Sequence, residues 1–561
     1  MFSPESTQFA EENPLTGYRS KAMKETYSKE AFPLLYSEVV RLYEKSKADT
    51  LEAFPEEIRA EFLKSGSREG FEKLYFRRRD YLSATAMLAL FDKEYIPELE
   101  KIILAICDEK DWMLPAHIIH GEGFIDLFVA ETAFALSEIS AVLGNRLSAE
   151  IHLRIKEEIK KRLIDRYSAD SFWWEECNMN WASVCAGYIG GTLMYLFPEE
   201  FERQKERILR TLDCYIKGFT DDGFCLEGPS YWLYGFFSYS VFADLLYKYS
   251  GGKEDLFNRE KIKKIAAYGG RCQLSGNTSL SFSDADETFR PDYALQNFLY
   301  GKGISEPIAE DRLCFYNANT KWMNYYRAFI WKSSGAPHRV STKADVYSPE
   351  ANQLIVNRQA FSFAIKGGHN GEPHNHNDLG SFIYADKSGQ IFCDLGSGRY
   401  TKDYFDEKKR YGIFCNSSLS HSVPIIDGKP QMAGKEFSAV LTFKDNTAVC
   451  DISSAYEGLG KKSIVRRAEI TERGIILTDS FNLSEKAVTE RFVSLRKADV
   501  KEGVLTFGST KLIYPADKVI FSLMEEKHSP HEYDSEDITV YCYDFLLKEG
   551  VKEAAFEIVT E

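Results

Sequence analysis

The sequence predicts an α+β chain in two domains: helical hairpins over residues 1–335, then an antiparallel β-sandwich over residues 336–561. Three observations predict it. Apolar residues recur at helical spacing through the first half. The texture changes near Trp331 to Ser348, where Lys332-Ser333-Ser334-Gly335-Ala336-Pro337 is rich in turn formers and helical periodicity does not return for long. From Asn352 onward, short strand-like runs are separated by turns.

In order, helical spacing covers Glu30 to Lys47, Glu56 to Ser65, Arg78 to Leu90 and Ile96 to Asp108. Phe124 to Leu143 is the clearest helix, stopped by Gly144-Asn145. Ala149 to Leu163, Trp181 to Leu196, Glu200 to Ile216, Tyr231 to Tyr249, Asn258 to Cys272 and Pro291 to Leu299 follow. Short loops between them suggest stacked helical hairpins, without a fixed-period repeat. In the second half, Phe361 to Ile365 alternates, and Ser381 to Ala385 and Gln390 to Asp394 flank Lys387-Ser388-Gly389, a hairpin turn by composition. Phe437 to Phe443, Thr447 to Ile452, Arg491 to Leu495 and Ile538 to Tyr543 continue the pattern, and Ser463 to Ile470 pairs with Gly474 to Phe481 around Glu472-Arg473.

A chain of 561 residues with 44% apolar content has material for more than one core. The net charge of −15 argues against nucleic acid and anionic membranes as partners. Arg77-Arg78-Arg79 and Arg466-Arg467 are candidate anion pockets, with solvated or ion-paired surface as their ordinary role. No stretch approaches the apolar length that spans a bilayer, and Met1 to Thr7 lacks the features of a secretory signal. The eleven cysteines are scattered without CxxC spacing, which suggests reduced thiols in a cytoplasm. Aromatics at 14% suit sugar-stacking platforms but equally suit large cores.

The densest chemistry lies in Pro373-His374-Asn375-His376-Asn377-Asp378. Three of the ten histidines, His369, His374 and His376, fall within eight residues. In a strand, residues two apart share a face, so His374 and His376 are expected to point the same way. Asp394 lies on the expected returning strand, and His421 follows in Ser420-His421-Ser422-Val423. Two histidines and a carboxylate on neighbouring strands make a zinc set with an open or water-filled fourth position; a pair of solvated loop histidines is the plainer alternative. A second polar cluster sits at two helix starts in the first half. Asn180, in Asn178-Met179-Asn180-Trp181, is a natural N-cap. After Glu227-Gly228-Pro229-Ser230, Tyr231 and Tyr234 are three apart and share a helical face, where ordinary core is the competing role.

These segments together resemble the heparinase II/III-like polysaccharide lyases. The resemblance is carried by residues 178–181, 222–235, 373–378, 393–398 and 420–428, in the family's order; roughly the first and last hundred residues carry little of it. It implies an incomplete α/α toroid followed by an antiparallel β-sandwich. It also implies β-elimination at a hexuronic acid, cutting the bond to O4 and leaving an unsaturated uronate. On that resemblance Asn180 neutralises the substrate carboxylate, and His374 is a second neutraliser or the base for one epimer. Tyr234, with Tyr231 close behind, serves as base and acid, and Glu227 orients neighbours. His376, Asp394 and His421 correspond to the family's zinc ligands, where the metal is mainly structural. The expected partner is an anionic oligosaccharide, glycosaminoglycan fragments first and alginate-like oligouronides second; a homodimer is left open.

Three other readings compete. Glu175, Glu176, Asp222 and Glu227 could supply the carboxylate pair of a toroid glycoside hydrolase. A carbohydrate-binding protein without turnover would not need Asn180, Tyr234 and His374 together. A zinc hydrolase lacks an obvious general base beside the metal set.

Overall fold

The computed structural model describes residues 15, 33–47, 51–121, 123–305, 321–331, 344–459, 463–483 and 486–561. By Cα proximity the chain forms two compact units. One comprises Met1–Gly218, Leu233–Ala266 and Pro291–Arg339; the other comprises Phe219–Trp232, Ala267–Arg290 and Val340–Glu561. Two segments from the first half thus cluster with the strands, which a single cut cannot express. The domain boundary expected near residue 335, with its turn-rich run, lies outside the described residues.

The first unit is helical. The helix Leu127–Leu143 begins on Asp126, whose carboxylate accepts the backbone N–H groups of Phe128 and Val129. It packs on Asn180–Leu196, which packs in turn on Pro198–Lys217. The helix expected from Arg78 to Leu90 extends over Glu69–Phe91. The single helix expected from Asn258 to Cys272 is broken into Glu260–Ala266 and Tyr268–Arg271. Trp322–Ile330 is a helix that periodicity missed. By length and composition Leu127–Arg146 could cross a membrane, against expectation, but 89% of that window is buried inside the protein, as in a core helix.

Among the described residues, the second unit holds three antiparallel sheets. Five strands run in chain order: Val346–Ser348, Gln353–Asn357, Phe361–Lys366, Phe382–Asp386 and Gly389–Phe392. Nine strands begin at Asp499–Lys501 and end at Gly368–Asn370, with the expected hairpin Ile464–Ile470 and Gly474–Phe481 inside. Four strands comprise Val519–His528, Ile538–Leu547, Val488–Ser494 and Pro424–Ile426. Alternating inward residues of these sheets share one core. In it Phe492 lies 5.6 Å from Phe382, 5.4 Å from Phe392 and 4.9 Å from Phe556, ring centre to ring centre.

Neither arginine run is an anion pocket. Arg78 and Arg79 are buried on the Glu109 carboxylate. Arg467 pairs with Glu469 at the surface. Arg466 is fully buried, paired with Asp479 at 2.7 Å and Glu490 at 3.0 Å. It also donates to the carbonyls of Gly380 (2.7 Å) and Ser422 (2.6 Å). One guanidinium thereby ties both histidine-bearing loops to the sheet. Arg466→Ala would leave two carboxylates buried without their cation and is expected to cost about 3–5 kcal/mol. Denaturant unfolding checks this; a loss under ~1 kcal/mol would contradict the anchoring role.

Candidate active site and metal centre

The site in the second unit is built on loops. His374 and His376 do not lie on a strand: residues 371–380 form a loop between Gly368–Asn370 and Phe382–Asp386. His374 is left-handed, with φ +55°. Loop polar groups, rather than ladder bonds, hold the segment. Asn377 N–H donates to Asn416 O at 3.0 Å, Lys366 Nζ pairs with Asp378 at 2.8 Å, and Leu379 N–H donates to Gln431 at 2.9 Å. The two imidazoles converge for a reason other than strand alternation: both meet Asp284.

Asp284 sits on the segment 281–290, just after Ser283, itself left-handed at φ +66°. Its Oδ2 lies 2.9 Å from His374 Nδ1 and its Oδ1 lies 3.2 Å from His376 Nε2. Tyr404 donates its hydroxyl to Oδ1, Tyr400 reaches Oδ2 at 3.3 Å, and Arg410 Nη2 approaches Oδ1 at 3.5 Å. Burial alone would raise the Asp284 pKa. The Arg410 charge and the two imidazoles outweigh it and hold the carboxyl well below the usual range, so it is ionised. Close backbone approach places the segment. A Cβ on Gly396 would sit 2.1 Å from Ala285 O, and one on Gly228 would sit 2.9 Å from Phe282 O.

Tyr231, in the first turn of Pro229–Tyr249, stacks on His374 with ring centres 3.8 Å apart and planes at 20°. Its hydroxyl lies 2.6 Å from that of Tyr400. Burial, then the Asp284 charge, raises its pKa. The surroundings therefore favour the protonated form of Tyr231. Glu227 is buried, with Oε1 3.8 Å from His374 Nε2.

Tyr234 and Asn180 belong to the first unit. Tyr234 donates its hydroxyl to Glu131 at 2.8 Å, and Lys321 pairs with the same carboxylate. Burial, then Glu131, holds the Tyr234 pKa well above its ordinary value. Asn180 is buried at the start of Asn180–Leu196, but Met179 occupies the N-cap position, so capping is not its role. Among the hydrolase candidates, Glu175 is bound by Arg207, while Asp222 accepts the Thr220 hydroxyl. On the helical unit Trp173 is 42% exposed, with Trp181 at 5.1 Å and His120 at 5.7 Å, a surface suited to stacking a sugar ring.

His376, Asp394 and His421 form a metal-sized group whose donor atoms all lie within 4.8 Å of one another. Asp394 comes two residues after the strand Gly389–Phe392, where Gly396 N–H donates to its Oδ1 at 2.9 Å. His376 Nδ1 is 3.5 Å from Asp394 Oδ1, and His421 Nδ1 is 3.3 Å from Oδ2. His376 Nδ1, His421 Nδ1 and Asp394 Oδ2 are buried and make no hydrogen bond. The outer nitrogens are engaged, His376 Nε2 on Asp284 and His421 Nε2 on Cys415 O at 3.0 Å. That arrangement turns both Nδ1 lone pairs inward and fits a divalent metal. Burial lowers the His376 pKa, but Asp284 and Asp394 prevail and raise it to about 9.

Sequence reasoning missed Asp284, Tyr400, Tyr404 and Arg410. Asp284 stands in Ser283-Asp284-Ala285-Asp286, with neither periodicity nor a ligand spacing to mark it. Tyr400 and Tyr404 follow Gly396-Ser397-Gly398 closely, and an aromatic pair after such a turn was the one available signal.

Solved structures share this architecture over the whole chain. Heparinase III matches with a TM-score of 0.62 at 12% identity, covering 100% of this chain and 94% of that one. A mutant of the heparan sulfate lyase HepC from Pedobacter heparinus matches with 0.58 at 13% identity, covering 99% and 93%. The chondroitin AC lyase of Streptomyces coelicolor A3, in complex with chondroitin sulphate, matches with 0.57 at 11% identity, covering 100% and 83%. No protein-family model and no curated protein matches the chain. At these identities the likeness establishes the fold, the α/α toroid followed by an antiparallel β-sandwich of the polysaccharide lyases.

A metal bound through His376 would have to displace its proton at neutral pH. Zinc affinity, measured with a competing chelator, is expected to rise about tenfold per unit from about pH 6 to about pH 8. A flat profile would remove His376 from the ligand set.

Proposed function

We propose that the protein is a polysaccharide lyase that cleaves uronate-containing oligosaccharides by β-elimination. The observation that carries the proposal is the pairing of Tyr231 with His374, ring on ring, inside a fold shared with heparinase III and chondroitin AC lyase. Heparan- or chondroitin-type fragments are the preferred substrates, ahead of alginate-like ones. Cytoplasmic placement, and with it a preference for short imported fragments, is proposed from the scattered cysteines alone.

Elimination needs a neutralised carboxylate, a base for C5–H and an acid for O4. On the family resemblance alone, Asn180 is the residue proposed to neutralise the carboxylate through its side-chain amide. The ionised Asp284 takes the Nδ1–H of His374, which leaves Nε2 with its lone pair as the base. Tyr231, kept protonated by burial and by the Asp284 charge, is the donor to the departing O4. Tyr231 takes precedence over Tyr234, whose hydroxyl is committed to Glu131. His376, Asp394 and His421 would hold a zinc ion. When bound, it would supply a structural cross-link between the loop 371–380 and the turns carrying Asp394 and His421.

A panel of uronate oligosaccharides, watched for the ultraviolet absorbance of the unsaturated product, tests the reaction; hydrolysed products without that absorbance would overturn it. His374→Ala and Tyr231→Phe should each lower kcat by about 10²–10⁴-fold. A substrate with fluoride leaving from C4 needs no proton donor. It should restore turnover to Tyr231→Phe but not to His374→Ala, and the reverse pattern would exchange the two roles.

A further inference from the structure

One carboxylate serves both histidines. His376 Nε2 approaches Asp284 Oδ1 and His374 Nδ1 approaches Oδ2, at 3.2 and 2.9 Å. The chain between the two rings is a poor mechanical link. His374 is left-handed, and Asn375 is held separately: its side chain accepts the Tyr411 hydroxyl at 2.8 Å and its carbonyl accepts from Arg410 at 3.0 Å. Asp284, in contrast, touches both rings, and its two oxygens also accept from Tyr404 and Tyr400.

We propose that Asp284 is a positioning residue that transmits occupancy of the His376–Asp394–His421 seat to His374. The inference rests on the readings above that this triad binds a metal and that His374 acts on substrate. An ion held by His376 Nδ1 would fix that ring with its Nε2–H on Asp284 Oδ1, and so bias the carboxylate whose Oδ2 meets His374 Nδ1. His376 Nδ1 makes no hydrogen bond, although Asp394 Oδ1 lies 3.5 Å from it, and the ring's hydrogen-bonded contact is the one to Asp284. Freedom of that ring passes through the same carboxylate to His374 and so to the direction of its Nε2. A fixed imidazole whose outer nitrogen rests on a carboxylate is a known way of tuning a metal ligand; here the other oxygen of that carboxylate extends the arrangement into the candidate catalytic pair.

The test follows the ring-nitrogen signals of His374 in imidazole-¹⁵N-labelled full-length protein, with and without zinc. In the wild type, zinc is expected to narrow the signals and fix Nδ1 as the protonated nitrogen. Removing zinc should lower kcat at least about tenfold on a cleaved oligosaccharide while KM stays within about twofold. Asp284→Asn should bind zinc about 10–100-fold more weakly. At saturating zinc it should show the metal-free His374 signals and lose no further activity when stripped. Asn375→Gly, which loosens the chain link, should keep the zinc response. His421→Ala, which removes a ligand without touching Asp284, should reproduce the stripped state even if Asp284→Asn fails to fold. An unchanged His374 on zinc loading, absence of zinc binding, effects of Asp284→Asn and zinc removal that multiply, or loss of the response in Asn375→Gly would each overturn the proposal. The nitrogen signals need no turnover. A zinc response without any cleaved uronate would sink the lyase reading and leave the coupling standing.

Discussion

The ionised carboxylate of Asp284, buried from water, is the constraint on which the candidate site depends. A charge in that position is tolerated only while donors surround it, and here they come from three separate stretches: His374 and His376, Tyr400 and Tyr404, and Arg410. Satisfying one anion therefore assembles the site. It also divides the labour of the two histidines. Each gives one nitrogen to Asp284 and turns the other outward, His376 toward Asp394 and His374 toward Glu227.

The same charge sets the chemistry available to the tyrosines. A phenol beside a carboxylate and shielded from water is a reluctant base. Tyr231 keeps its proton for that reason and suits the proposed donor role, and the imidazole stacked on it is the proposed base. Tyr234, one helical turn away, meets a different carboxylate in Glu131 and a lysine in Lys321. Two residues on one helical face thus enter unrelated electrostatic surroundings, a separation that sequence spacing cannot express.

Much of the fold was readable before any coordinates. The hairpin Ile464–Ile470 and Gly474–Phe481 and the helix Glu56–Ser65 fall where periodicity put them, because alternation and helical spacing are local consequences of burying one face. The proposed ligand trio was legible as residue types, and the three side chains lie close together. Legibility failed where geometry is not periodic. His374 and His376 were assigned to a strand, but the loop 371–380 is stabilised by Asn416, Lys366 and Gln431, all distant in sequence. Sequence alone assigns Arg466 and Arg467 one shared reading, anion pocket or surface charge; the sheet turns Arg466 to the core and Arg467 to the surface.

By itself the sequence determined the order of helices and strands and the short list of residues able to do chemistry, since both are written in local pattern and residue type. The tertiary structure decided which of those residues meet. Asp284 carries no motif and gains its meaning from being folded between His374 and His376, 90 and 92 positions away. Whether a carboxylate is solvated or encircled is a property of the packed chain, because burial and the donors that offset it come from segments the sequence keeps apart.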